Sequence, residues 1–402
     1  MQWKKILGVL LVAVAAIYGY EKMTNRWETI STNFMKGDKP YGGGDFVIRG
    51  DQVISLKIAE PVQTFKPDKH PGDWNAPLET TEPWMNDTNQ LLNRTTVNFI
   101  RGTIQGATVR RFSEPGQSGA WWYSRDWNTI FVSTGWTDFT LPNPSDGLSP
   151  QVTRLWRSQD AGSTWTQLKW PENHNIGQLL FLDPMRGYAI GWGPRVWRTG
   201  DAGQTWQEIQ VPPLAGQREP RATFDGVDLA RNGVLRVAYY VNELHDIRAS
   251  SAVYRLDWDR QQFEPETVLP NQTVVRMQSA PDGTRGDVVY VLCRPGPRND
   301  DKMGRGGSVW VWNSSQPAAV QQLHTFAPPL TINGMVVGVG GVLIAYATDA
   351  SQGAPIDYSL YSTNAGRTWT QSDDGLMLGG SFDRDTSTEY GLSAYTLKKR
   401  KF

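Results

Sequence analysis

Three segments of this chain repeat one eight-residue pattern, and that repeat limits the fold more than any other feature. They are Ser158-Gln-Asp160-Ala-Gly162-Ser-Thr164-Trp165, Thr199-Gly-Asp201-Ala-Gly203-Gln-Thr205-Trp206 and Ser362-Thr-Asn364-Ala-Gly366-Arg-Thr368-Trp369. The physics of the pattern is a hairpin turn. An Asp or Asn side chain accepts hydrogen bonds from backbone N–H groups two or three residues on, and the Ser or Thr hydroxyl joins that network. Gly supplies the positive φ that the reversal needs. Thr-Trp then opens an outgoing strand with β-branched and aromatic side chains suited to a buried pleated surface. Alternation in Tyr188-Ala-Ile190-Gly-Trp192 marks a strand on the incoming side of the second turn.

A hairpin recurring along a chain is the unit of an all-β repeat fold. The composition agrees: 18 Trp, 40 Gly and 25 Pro supply layer packing and turns that a helical protein does not need. Degenerate copies follow from strand register. Val253 to Phe263 aligns without gaps on Val196 to Trp206, and Val309 begins a copy whose Trp slot falls near Ala319. Val109 to Trp121 and Val53 to Phe65 are looser copies. The spacing of these slots predicts a β-propeller of six to seven four-stranded blades, seven being favoured, over residues 45–402. The strand-like pair Phe46–Arg49 and Val53–Ile58 opens it. Ser381–Phe382 and Leu392–Leu397 supply two late strands, so that one blade is completed from both termini and no sheet edge is left exposed.

The three segments resemble the Asp boxes of the BNR-repeat family, in the sialidase-like superfamily of propellers. In that family the box lies away from the ligand-binding face. The resemblance therefore implies that Ser158, Asp160, Gly162, Thr164, Trp165, Thr199, Asp201, Gly203, Thr205, Trp206, Ser362, Asn364, Gly366, Thr368 and Trp369 are structural. Sialidase-like members use an arginine triad, a Tyr–Glu nucleophile pair and an Asp acid/base, the first arginine lying in Phe/Tyr-Arg-Ile-Pro. The nearest segment here is Phe46-Val-Ile-Arg49-Gly50, with the order disturbed and no Pro, which leaves Arg49 as the sole catalytic candidate. Glu389 and Tyr390 are adjacent and would point to opposite faces of a strand. A non-catalytic member is expected, with a sialidase-like exo-glycosidase as the alternative.

Other chemistries find less support. His70, His174, His245 and His324 have no metal-ligand spacing, and neither an organic cofactor nor a catalytic metal is indicated. The single cysteine, Cys293, sits in an apolar run and reads as a buried small hydrophobe. Forty basic and forty acidic residues cancel, which gives no reason to expect nucleic acid as a partner. The basic run Lys398 to Lys401 reads as a solvated terminus.

Lys4 and Lys5 precede an uncharged apolar run from Ile6 to Tyr20. Residues 1–20 are read as a signal peptide or N-terminal membrane anchor. Residues 21–44 are read as a polar spacer carrying Gly42-Gly43-Gly44. The expected location is the periplasm or its membrane face, with contact to the membrane only through that segment. Three stretches break the blade rhythm: residues 66–95, 138–151 and 294–307. Long loops on a rigid scaffold carry function, so Trp74, Trp84, Met85, Arg298 and Arg305 become candidate partner-binding residues. The sequence thus points to a propeller that docks a protein partner on its loop face. The concrete reading is an inhibitor or immunity protein neutralising a toxin or lytic enzyme. A membrane-complex assembly factor and a glycan-binding protein are the further alternatives.

Overall fold

A computed structural model of the chain describes residues 28–31, 45–59, 96–104, 108–116, 118–137, 151–171, 174–191, 195–211, 224–241, 250–281, 288–295, 306–349, 351, 356–372, 379–393 and 396–402. These residues form seven four-stranded antiparallel sheets, the blades of one propeller. Blade 1 is β2 (Asp45–Arg49), β3 (Gln52–Ala59), β4 (Thr96–Thr103) and β5 (Thr108–Pro115). Blade 2 is β6 (Ser118–Tyr123), β7 (Ile130–Thr137), β8 (Gln151–Ser158) and β9 (Thr166–Leu168). Blade 3 is β10 (Ile176–Phe181), β11 (Gly187–Gly191), β12 (Arg195–Thr199) and β13 (Gln207–Gln210). Blade 4 is β14 (Phe224–Leu229), β15 (Leu235–Val241), β16 (Ser250–Leu256) and β17 (Glu264–Leu269). Blade 5 is β18 (Gln272–Ser279), β19 (Val288–Pro295), β20 (Gly307–Asn313) and β21 (Gln316–Phe326). Blade 6 is β22 (Leu330–Val337), β23 (Leu343–Asp349), β24 (Ile356–Ser362) and β25 (Thr370–Gln371). Blade 7 joins β26 (Gly379–Asp383), β27 (Thr388–Ser393) and β28 (Thr396–Lys401) to β1 (Glu28–Ser31). First strands of neighbouring blades lie side by side where β2 meets β26, β6 meets β10, β14 meets β18 and β18 meets β22, and blades so arranged surround a central channel.

The repeated segments are the turns from the third to the fourth strand of blades 2, 3 and 6. All three share one hydrogen-bond scheme. In the first, the Ser158 hydroxyl donates to Asp160 Oδ1 at 2.9 Å and accepts the Gly162 N–H at 2.8 Å. Asp160 Oδ1 accepts the Thr164 N–H at 2.8 Å, and its Oδ2 accepts the Thr164 hydroxyl at 2.7 Å. The Trp165 indole donates to Gly162 O at 3.2 Å. Asp201 receives the N–H and hydroxyl of Thr205 in the same way, at 2.9 and 2.6 Å. In the third turn Asn364 Oδ1 accepts the Thr368 N–H, while Asn364 Nδ2 donates to the Thr368 hydroxyl at 2.8 Å. Two consecutive residues take positive φ in each, Ala161 (58°) and Gly162 (83°) in the first.

The Thr164 N–H and hydroxyl hold the Asp160 carboxyl down at a pKa of about 2. A carboxylate depressed on folding stabilises the fold above its unfolded value near 3.8, and that contribution is lost as pH falls through about 2. Asp160→Asn can adopt the scheme of Asn364, in which the hydroxyl reverses its role. It is expected to melt near the wild-type temperature at neutral pH and to lose less stability between pH 4 and 2. Asp160→Ala, which leaves turn N–H groups without their acceptor, melts lower throughout. Thermal melts across that pH range check both.

Adjacent blades are tied at equivalent points. Arg101 of β4 donates to Ala161 O in the turn of blade 2 at 3.2 Å. Arg157 of β8 reaches Ala202 O of blade 3 at 3.0 Å, and Arg198 of β12 reaches Trp258 O of blade 4 at 2.9 Å. The box tryptophans pack across the same seams: Trp165 stacks on Phe112 of blade 1 at 4.4 Å and meets Phe99 edge-on at 5.3 Å. Cys293 is buried within β19, and burial pushes its thiol pKa up, away from the reactive thiolate.

Three details differ from the sequence reading. First, the strand that closes the ring from the N-terminal side is Glu28–Ser31, inside the stretch read as a spacer; Phe46–Arg49 is instead the innermost strand of blade 1. Second, the blade count comes from other slots than three of those proposed. The third-to-fourth turn of blade 1 lies between Thr103 and Thr108, Trp121 belongs to the inner strand β6, and Ala319 lies within β21 after a tight turn from Asn313 to Gln316. The slot at Phe65 lies outside the described residues. Third, the basic run Lys398 to Lys401 is part of β28. Arg400 is buried in it, pairs with Glu389, donates to Ser372 Oγ and Ser359 Oγ at 2.9 and 3.2 Å, and lies over the Tyr361 and Phe402 rings.

Candidate functional site

Because the strands of each blade alternate in direction, their connections sort onto two faces. First-to-second and third-to-fourth turns emerge on one face, here the turn face. Second-to-third connections and the links between blades emerge on the other, the loop face. The three insertions join β3 to β4, β7 to β8 and β19 to β20, all second-to-third connections, so their anchor points share the loop face. Trp74, Trp84 and Met85 belong to the first insertion and Arg298 and Arg305 to the third; all five lie outside the described residues.

The described residues at the insertions' roots are mixed aromatic and charged. Between blades 1 and 2 the Arg154 guanidinium lies 5.0 Å from the centre of the Trp136 ring and 3.3 Å from Glu114. Arg154 keeps 37% of its side chain exposed, so the group faces solvent between the roots of the first two insertions. The third insertion is anchored on the neighbouring blade. Arg294, at its start, donates to Ile332 O at 3.0 Å and Asn333 Oδ1 at 3.0 Å. Gly306, at its end, donates its N–H to Leu330 O at 2.6 Å. Gly306 has φ 79°, and a Cβ there would lie 2.2 Å from Phe326 O, so only glycine allows the chain to pass.

Arg49 ends β2 on the turn face, with its guanidinium 5.2 Å from the centre of the Trp127 ring of blade 2. Glu389 turns into the seam with Arg400, whereas Tyr390, next to it on β27, packs on the cluster of Phe46, Ile48 and Val53. Burial pushes the Glu389 carboxyl pKa up, and Arg400 opposes that shift. Among the described residues, no three His, Cys, Asp or Glu side chains come together as a metal site.

The turn face carries a second concentration of charge, at the channel mouth. Asp385, in the β26–β27 turn, pairs with Arg231 of the β14–β15 turn and lies 4.0 Å from Arg125 of the β6–β7 turn. Arg384 donates to Val337 O at 2.9 Å and to Ser279 O. The Ser279 hydroxyl in turn bonds Asp228 and accepts from Arg236 at 3.1 Å. Arg236 is fully enclosed and reaches Glu266 Oε2 at 2.8 Å, while Glu266 Oε1 accepts the Trp312 indole N–H at 3.2 Å. Sequence reading missed this network. Its members come from five strands of blades 4 and 5 and from blade 7, with no local pattern to mark them.

No protein-family model matches the sequence, and no curated protein matches it. Solved structures do match. One from the COPII outer coat vertex on membranes has a TM-score of 0.51 at 7% identity, over 87% of this chain and 80% of that one. YCF48 from Cyanidioschyzon merolae has a TM-score of 0.49 at 11% identity, over 77% and 92% of the two chains. A YCF48 bound to D1 peptide has a TM-score of 0.47 at 13% identity, over 77% and 87%. At such identities the likeness is one of fold.

Proposed function

We propose that this chain is an exported, non-catalytic propeller of the BNR/Asp-box type that docks a partner protein on its loop face. In its most concrete form it is a periplasmic inhibitor or immunity protein that neutralises a toxin or lytic enzyme. The observation that carries the reading is topological. All three long insertions leave second-to-third connections and so share one face, while the repeated turns occupy the other. A face built from several long loops on a rigid ring, with a part-exposed Arg–Trp pair between two of their roots, suits protein recognition. The catalytic candidate Arg49 lies on the turn face, away from those loops, which favours binding over glycoside chemistry.

The test uses the full-length chain, captured with its partner from a detergent-solubilised envelope extract and identified by mass spectrometry. Binding of the purified partner is then measured against variants in which residues 66–95 or 296–305 are replaced by short Gly-Ser linkers. At least one shortening is expected to weaken binding by about tenfold or more, or roughly 1.4 kcal/mol, with the cooperative melt retained. Undiminished binding by both variants would sink the docking proposal, and hydrolysis of a fluorogenic sialoside by the full-length chain would replace it with the glycosidase reading.

A further inference from the structure

Blade 7 adjoins blades 6 and 1 in a ring of seven. Its first turn nevertheless reaches far beyond them. Asp385 pairs with Arg231 of blade 4, three blades away, and approaches Arg125 of blade 2. Arg384 reaches the last inner-strand carbonyls of blade 6, at Val337, and of blade 5, at Ser279. The same turn is held to the first turn of blade 6 by Val339 N–H to Arg384 O at 3.2 Å and the Ser387 hydroxyl to Val339 O at 3.2 Å. A segment that touches blades on opposite sides of a closed ring has to cross the channel mouth.

We propose that the Asp383–Thr388 turn is a strap that floors the central channel at the turn face, with Asp385 as its ion-sensitive clasp. The channel then opens to the loop face alone while the clasp is made. The two ends of the strap differ in chemistry. Arg384 is part-buried, burial lowers its guanidinium pKa, and it is held by uncharged backbone carbonyls, contacts that salt screens less than an exposed ion pair. Asp385 is held by arginines whose side chains are 58% and 87% exposed, and such pairs are weak and screened by salt. Ionic strength therefore acts on the clasp while the Arg384 end stays fixed. The strap stands whether or not the loop face docks a protein.

Arg276 provides the probe. It is exposed on the inner strand β18, close enough for its charge to act on Arg384, while the single native thiol is buried. The full-length Arg276→Cys variant is labelled with N-ethylmaleimide, a neutral reagent, with the wild-type protein as the blank. Adding Asp385→Ala, or separately Arg231→Gln, opens a second entrance and is expected to speed labelling by roughly threefold or more. In about 1 M NaCl, where the Debye length falls to about 3 Å, the intact clasp approaches the fast rate and the clasp variants do not change. Equal rates with and without the clasp, in proteins with native circular dichroism, would overturn the proposal, as would an equal salt response in all of them.

Discussion

Arg236→Met is expected to lower the stability of the fold by about 3–5 kcal/mol, the loss that follows when one partner of an enclosed ion pair is removed. The Arg236 guanidinium has no solvent exposure, and both carboxylates facing it, Glu266 at 2.8 Å and Asp228 at 4.0 Å, are enclosed as well. Methionine fills the aliphatic volume but leaves two buried negative charges with no cation between them. The penalty thus lies in the carboxylates left behind. Combining Arg236→Met with Glu266→Gln and Asp228→Asn removes those charges and keeps an acceptor for the Trp312 indole. The triple variant is expected to recover more than half of the loss. Urea unfolding followed by Trp fluorescence reads the effect as a shift in midpoint at constant slope. A triple variant no more stable than Arg236→Met would show that packing, rather than uncompensated charge, sets the cost.

The second large effect is at the first repeated turn. Gly162→Ala is expected to cost about 2–5 kcal/mol, from two sources that a control separates. An L-residue at φ 83° carries about 1–2 kcal/mol of left-handed strain. The new Cβ also lies 2.8 Å from Cε1 of Phe99, a ring fully buried in blade 1 and packed edge-on against Trp165, which adds overpacking of about 1–3 kcal/mol. Gly340 has φ 70°, and a Cβ added there would meet nothing within 4 Å. Gly340→Ala therefore carries only the strain, about 1–2 kcal/mol. The difference between the two measures how hard the turn of one blade presses on the next. Equal losses would mean that Phe99 yields freely and that the turns act only within their own hairpins.

The repeated turn was legible in the sequence because the hydrogen bonds made by its own side chains close within eight residues. Ser, Asp or Asn, Gly, Thr and Trp each have one task there, and a task fixed locally leaves a local signature. The degenerate turn ending at Phe263 was legible too, since β16 keeps the register of β12 up to it. The register failed at Ala319, where a tight turn from Asn313 to Gln316 replaces the long box, and shifts in the β20–β21 pairing follow. It failed again upstream, where blade 1 turns between Thr103 and Thr108 without the Asp or Asn and without the Trp of the repeated pattern. The candidate site was legible only as three departures from blade rhythm. That their anchor points share one face follows from strand order, which the sequence implies once the blades are assigned.

By itself the sequence determined the fold class, the position of the three repeated turns and the need to close the ring from both ends, because each rests on short-range chemistry or on a repeat. The tertiary structure alone decided which strand does the closing. Four residues, Glu28–Ser31, pair with β28 at the other end of the chain, and so short an edge strand has no periodicity to reveal it. The structure alone also buried Arg400 within a basic run that reads as solvated, and gathered Asp228, Arg236, Glu266, Ser279 and Arg384 beneath the channel mouth. Charges of this kind are stable only where partners from distant strands replace water around them. That replacement is a property of the closed ring, and no stretch of sequence records it.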